Sequence, residues 1–258
     1  SFIGTSRNSK YANEIITLPV IASNMIRNSG LHTWTPFKSI NDGILSSIVF
    51  IHDRILHIAV DDPRTTYLGS VYTLAKNPMN EDFAGNPFHL VLTIISLIIF
   101  VGMRSLRKLR LLVWYVSLLS LAFIVFSGYL KWQPFNSRLE LAFFLLWTPF
   151  IATVISKVNS KILNRFLPLA FLMLAFPWVL VNSAKPIIPH PQSIFALERS
   201  DMLFFDRPDL LQPYNNAISF IKSVDSYSTG ILLDSDDWEY PLWAIANYYH
   251  PSDHSYRF

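Results

Sequence analysis

YLKWQPFNSRLELAF, residues 129–143, is a short polar stretch set between two long apolar ones. It carries Lys131 and Arg138 together with Trp132, Pro134 and Phe135. A plain connector needs only polarity and a turn, so two cations held among a proline and aromatics ask for a further reason. That reason depends on which side of a membrane the stretch faces.

Working outward, the apolar segments are 88–103, 111–130, 141–156 and 166–182. A spanning helix needs about 20 apolar residues, within a range of about 17–25. The second segment meets that length and the fourth just reaches it. The first and third are short, as tilted or re-entrant helices are. Trp114, Tyr129, Trp132 and Trp178 sit near segment ends, where interfacial aromatics gather. No Asp, Glu, Lys or Arg lies inside the four segments, which disfavours an intramembrane proton relay or ion path.

Orientation follows from the loops. RSLRKLR (104–110) has four cations and no acid, and KVNSKILNR (157–165) has three and no acid. Both are cytoplasmic by the positive-inside rule. The 131–140 connection, with two cations and Glu140, then faces outward. Residues 1–87 and 184–258 share that outer compartment, which permits a single site at the outer membrane face.

Composition agrees. The chain is 51% hydrophobic and 15% charged, against about 25% charged in a soluble domain. The net charge of +3 is unevenly placed: residues 90–183 hold nine cations and one acid, and residues 184–258 five cations and ten acids. The basic excess lies between apolar runs, so it marks topology and not a nucleic-acid partner. The absence of cysteine excludes disulfides, thiolate catalysis and thiol-bound metal. Beginning at Ser1 without an initiator Met, and ending abruptly, the chain reads as a fragment.

The expected fold is a mainly α-helical membrane protein with about four transmembrane helices, extracytoplasmic amphipathic helices and a small C-terminal α/β region. Its regions are an extracytoplasmic helical loop region (1–87), a four-helix transmembrane region (88–183) and an incomplete extracytoplasmic α/β region (184–258). Residues 11–28 place Tyr11, Ile15, Leu18, Ala22 and Met25 on one helical face, with a kink or split expected at Pro19. A second helix, 40–58, opens on a capping-box pattern at Ser39 and Asp42. Both could lie in the interface or pack on each other. Lys185–Pro191 reads as a stiff linker, 214–224 as a helix, 230–235 as a buried strand and 236–249 as a helix with Pro241 in its first turn.

Two stretches besides the opening one could carry chemistry. In NEDFAGNPFH (80–89), Glu81 and Asp82 precede a Gly-Asn-Pro turn and His89 at the membrane boundary. Such groups could deprotonate an acceptor hydroxyl or hold a divalent metal; equally, they could cap a turn and start a helix. Lys131 and Arg138 would sit at the level of lipid phosphates, where a guanidinium offers a permanently charged fork, unless they simply snorkel. VDDPRTT (60–66) reads as local salt bridging around Asp61, Asp62 and Arg64, and the acids of DSDDWE (234–239) as helix capping. Phosphate-binding glycine loops, an HExxH pair and a nucleophile elbow are all missing.

NEDFAGNP-x-H before an apolar helix, KWQPFNSRLELAFFLLWTPFIA (131–152), FFDRPDLLQPYNNAISFI (204–221) and DDWEYPLW (236–243) together resemble the C-terminal half of bacterial polytopic GT-C class glycosyltransferases. The likeness is to the clan of protein O-mannosyltransferase-like and aminoarabinose-transferase-like enzymes, and it covers most of the chain from about residue 10. It implies a multi-pass enzyme of the bacterial inner membrane, with both polar ends outside, moving a sugar from a polyprenyl-phosphate donor to an acceptor at the outer face. In that family a catalytic aspartate lies in the first outer loop, upstream of these residues, so no principal base is assigned and the fragment alone is expected to be inactive. The resemblance implies that Arg138, with Lys131, holds the donor's lipid phosphate, and that Glu81, Asp82 and His89 line the site. No cofactor or metal ligand set is assigned, a divalent metal remaining a candidate. A membrane-anchored module whose outer domain binds a partner or glycan is the alternative, and a lipid-carrier flippase a third class.

Overall fold

The computed structural model describes residues 10–74, 79–80, 82–158, 161–188, 191–224, 230–232 and 238–248. They fall into two compact units, Ser1–Trp178 and Val179–Phe258. The expected regions 1–87 and 88–183 thus belong, up to Trp178, to one unit.

Its bundle follows the hydropathy pattern closely. Helix α3 (Pro87–Gly102), α5 (Arg110–Tyr129), α7 (Leu141–Lys157) and α8 (Lys161–Leu180) match the four apolar segments. Among the described residues one of them, Arg110–Tyr129, is long and apolar enough to cross a membrane; Pro87–Gly102, Leu141–Lys157 and Asn164–Leu180 are shorter apolar helices. The single turn α4 (Arg104–Arg107) links the first two, and α6 (Asn136–Leu139) leads into α7. Phe100, Val116, Leu119, Trp147, Phe150 and Val154 form the core where α3, α5 and α7 meet. The outward faces are apolar as well: Ile98, Leu111, Trp114 and Leu145 are all exposed. A helix that is apolar all round is made for a fully apolar environment.

Two helices precede the bundle, α1 (Leu18–Gly30) and α2 (Lys38–Ile51), the latter running into a π-turn at His52–Leu56. The kink expected at Pro19 is instead a helix start. Thr17 caps by accepting from the Val20 amide, and the proline occupies the first turn, where it sacrifices no hydrogen bond. The buried face of α1 is also not the expected one. Ser23, Asn24, Arg27 and Asn28 point inward, while Leu18 is 82% exposed. Asn24 donates to the Ser127 and Leu130 carbonyls at the end of α5, and Asn13 to those of Ser127 and Gly128. These bonds tie α1 and Asn13 to carbonyls that the last turn of α5 leaves without partners inside the helix.

At α2, Ser39 and Asp42 do not form the capping box. Thr35 and Asn41 bracket the start instead: Asn41 Oδ1 accepts from the Thr35 amide, and Asn41 Nδ2 donates to the Thr35 carbonyl. Trp132 is likewise not interfacial. It is fully buried beside Leu31, Tyr72 and Leu74.

In the second unit, the described residues form the short α9 (Arg199–Leu203), α10 (Leu211–Ser223) and α11 (Glu239–Tyr248). Phe204, Ile218, Leu242, Ile245 and Ala246 make its core. Pro241 falls in the first turn of α11, as expected. Gly230, Ile231 and Leu232 are irregular where a strand was expected, no strand occurs among the described residues, and the rest of that segment (233–235) lies outside them.

Candidate functional site

The loop between α5 and α7 is fixed from both sides. A short bridge pairs Thr66 with Trp132, and the Trp132 amide donates to the Thr65 carbonyl at 2.8 Å. Beneath it Arg27 is wholly buried, with its guanidinium 5.7 Å from the Trp132 ring. It donates to the Val60 carbonyl and Thr66 Oγ1 at 2.7 Å, to both oxygens of Thr65, and to Asn24. Burial pushes its pKa down to about 10, with Asp61, Tyr72 and Asp62 pulling the other way. Sequence reading missed this residue, because a lone arginine in an amphipathic helix looks solvent-facing. The one available signal was the polar cluster Ser23, Asn24, Arg27 and Asn28 on a common face.

The two expected phosphate cations are separated. Lys131 turns toward the N-terminal segment, donating to Glu14 Oε1 at 2.6 Å and to the Pro63 carbonyl at 3.1 Å, with its side chain 10% exposed. Arg138 is 56% exposed and donates from Nη1 to Asp82 Oδ1 at 2.7 Å, with its guanidinium 5.6 Å from the Phe135 ring. Ser137, the residue before it, donates to the Asp82 carbonyl. The NEDFAGNPFH loop and the 131–140 loop are therefore joined at Asp82. Glu81 lies outside the described residues.

Gly85 explains how that loop fits. A Cβ there would meet the Leu31 carbonyl oxygen at 2.6 Å, so only glycine lets the chain press against the end of α1. Pressed there, the Asn86 amide donates to His32 Nδ1 at 3.1 Å. The other ring nitrogen, Nε2, must then carry the proton, and it donates to Glu140 Oε2 at 2.6 Å. Both side chains are almost fully buried. Burial pushes the Glu140 carboxyl up, and the bond from His32 opposes that shift.

Beside Arg138 opens a cavity of about 270 Å³, lined by Asn86, His89, Leu141, Phe171 and Trp178 among others. His89 and Phe171 also line a second cavity of about 460 Å³ running on past Leu92, Ile151 and Ile155 to Asn164. Their rings touch, with centroids 4.5 Å apart. Trp178 to Asn164 spans about 21 Å along α8 at 1.5 Å per residue. The two cavities, meeting at the His89–Phe171 pair, form an apolar groove in two chambers along α3, α7 and α8, with the Arg138 guanidinium beside the first.

Asp62 pairs with Arg64 through Oδ1 and Oδ2, the local salt bridge expected of VDDPRTT, while Asp61 accepts from the Tyr72 amide. Of DSDDWE, residues 234–237 lie outside the described residues. Among the described residues no three His, Asp or Glu side chains converge on a common point for a metal.

No family model, curated protein or solved structure matches the chain.

Proposed function

We propose that this protein is a multi-pass membrane glycosyltransferase that uses a polyprenyl-phosphate sugar at the outer membrane face, with Arg138 holding the donor's phosphate. The observation that carries the reading is the guanidinium beside the first chamber of the groove along α3, α7 and α8. An amphiphile with a phosphate head and a long apolar tail matches both ends of that shape. Two further features support it: His89 lies where head would meet tail, and Asp82 and Phe135 hold Arg138 in place.

Four spans complete the reading. Helices α3 and α7, at 16 and 17 residues, are each a few ångströms short of a typical bilayer core, a mismatch that local thinning of the bilayer and the long flanking cations take up. Cations gather at 104–110 and 157–165, the opposite end of the bundle from Arg138. Exposed Phe37, Ile40 and Phe50 suit α2 to the interface. In the transfer step the bond from the sugar's C1 to the phosphate oxygen breaks and its electron pair stays on the phosphate. The acceptor oxygen bonds to C1 and its proton passes to a base. Charge grows on the phosphate as that bond breaks, and a fixed guanidinium is most useful against growing charge.

The test is selectivity for the head group. In nanodiscs the protein should bind farnesyl phosphate about tenfold or more tightly than farnesol, the worth of a hydrogen bond to a charged group. Equal binding of the two would remove the phosphate from the account and favour a membrane-anchored binding module.

A further inference from the structure

On the other side of the α3–α7 pair lies a separate cavity of about 250 Å³. Ser29 and His32 of α1, Thr93 of α3, Ser120 of α5, and Glu140 and Trp147 at α7 contribute to its wall, and the remainder is almost wholly aliphatic or aromatic. Glu140 is 2% exposed. His32 occupies its Oε2, while Oε1 is buried without a hydrogen-bond partner among the described residues. A buried carboxylate oxygen left unpaired costs about 1–3 kcal/mol or more, so native proteins rarely tolerate one without a use.

We propose that this cavity binds a hydroxyl-bearing amphiphile, whose hydroxyl pairs with Glu140 Oε1 and whose apolar body lies against Leu90, Ile94, Leu97 and Phe123. The chemistry selects the head group. A hydroxyl can donate to Oε1 of the carboxylate, and it can accept from the same oxygen when that is protonated. Burial, which raises the tendency of Glu140 to hold a proton, makes that versatility useful. A carboxylate or phosphate head would be repelled by the ionised acid. An ammonium would lose its pairing charge when the acid is neutral, at a high desolvation cost. A single water can pair with Oε1, but its share of liquid volume is about 30 Å³, so it leaves most of the cavity and its apolar wall unfilled.

The dyad also fixes the receptor before any ligand arrives. His32 is held from behind by the Asn86 amide and on its face by Phe144, at a ring-centroid distance of 4.6 Å. Glu140 therefore cannot swing away without leaving Nε2 of His32 unpaired. Phe144 also contacts His89, whose ring faces the donor groove. The two sites thus share a wall without sharing a cavity, and the inference stands apart from the donor reading.

The experiment is photolabelling in nanodiscs with 3-azioctan-1-ol, with adducts located by mass spectrometry. Label is expected at Glu140 or its cavity neighbours, protected by excess octan-1-ol and not by octane or octanoate. Loss of the hydroxyl bond predicts about a tenfold weaker competition by octane. Leu97→Trp fills the cavity from its apolar wall and leaves the dyad untouched, so it should abolish the label without depending on a risky Glu140 substitution. Farnesyl phosphate should not displace the label, which separates this site from the groove. Label elsewhere only, equal protection by octane, or undiminished label in Leu97→Trp would each overturn the proposal.

Discussion

Arg138 Nη1 lies 2.7 Å from Asp82 Oδ1, joining two loops that are 56 residues apart in sequence. The carboxylate uses one nitrogen of the fork and leaves Nε and Nη2 without a partner among the described residues. It orients the cation and at the same time competes with a phosphate for it. An ion pair this exposed is worth only about 0.2–1 kcal/mol. Asp82→Asn, which keeps the hydrogen bond and removes the charge, is expected to tighten farnesyl phosphate binding by up to about fivefold. Weaker binding in a titration of that variant would mean that Asp82 serves the phosphate directly.

Arg27 is predicted to be the most sensitive position among the segments that pack around α1. Its guanidinium joins α1 to Val60, Thr65 and Thr66, and stacks beneath Trp132. Arg27→Met leaves those oxygens buried and unpaired, and is expected to cost about 3–5 kcal/mol. Arg27→Lys keeps the charge but lacks the fork, and should recover less than half of the loss. Thermal unfolding in detergent would reveal it; a shift in Tm of a degree or less for Arg27→Met would refute the structural role.

Hydropathy revealed the bundle because α3, α5, α7 and α8 are apolar through all but their terminal residues, whatever they pack against. It could not reveal the inward face of α1. Periodicity places the apolar stripe toward a core, whereas here Ser23, Asn24, Arg27 and Asn28 turn inward and Leu18 faces out. The polar residues turn inward because their partners, the carbonyls of Ser127, Leu130, Val60 and Thr65, lie there. Of the residues singled out from the 80–89 and 131–140 loops, Arg138 and His89 line one cavity and Asp82 is bonded to Arg138. Lys131 was misplaced because its partner, Glu14, lies 117 residues away. The same distance problem hid the His32–Glu140 pair, whose members are 108 residues apart and ordinary in their local sequence.

His52 predicts a pH dependence of stability. Its Nδ1 is 2.8 Å from the Ile48 carbonyl and therefore donates, so Nε2 accepts from the Ser23 hydroxyl at 2.9 Å. Burial pulls its pKa below the ordinary value of 6.5, Arg27 adds to that, and the Ile48 bond, Asp53 and Asp61 oppose it. The folded state then binds fewer protons than the unfolded chain. Its contribution is present in full above about pH 6.5 and is lost as pH falls toward the depressed folded value. Tm should drop between pH 7 and pH 5, less so in His52→Gln; the same slope in both proteins would assign the effect elsewhere.

Topology is open to cysteine labelling because the chain has no cysteine of its own. Ser46, Ser105 and Ser223 are exposed. Under the four-span reading, single cysteines at 46 and 223 react with an impermeant maleimide added to intact cells, and one at 105 reacts only after lysis. Reaction at 105 alone in intact cells would invert the orientation and place Arg138 on the cytoplasmic side.

The most direct measurement is native mass spectrometry of the protein with polyprenyl phosphate, comparing wild type, Arg138→Ala and Lys131→Ala. Loss of one charged hydrogen-bonding partner should lower the Arg138→Ala affinity by about 10- to 100-fold. Lys131, committed to Glu14 and Pro63, should matter little. Binding that survives in Arg138→Ala at wild-type strength would contradict the account at its centre.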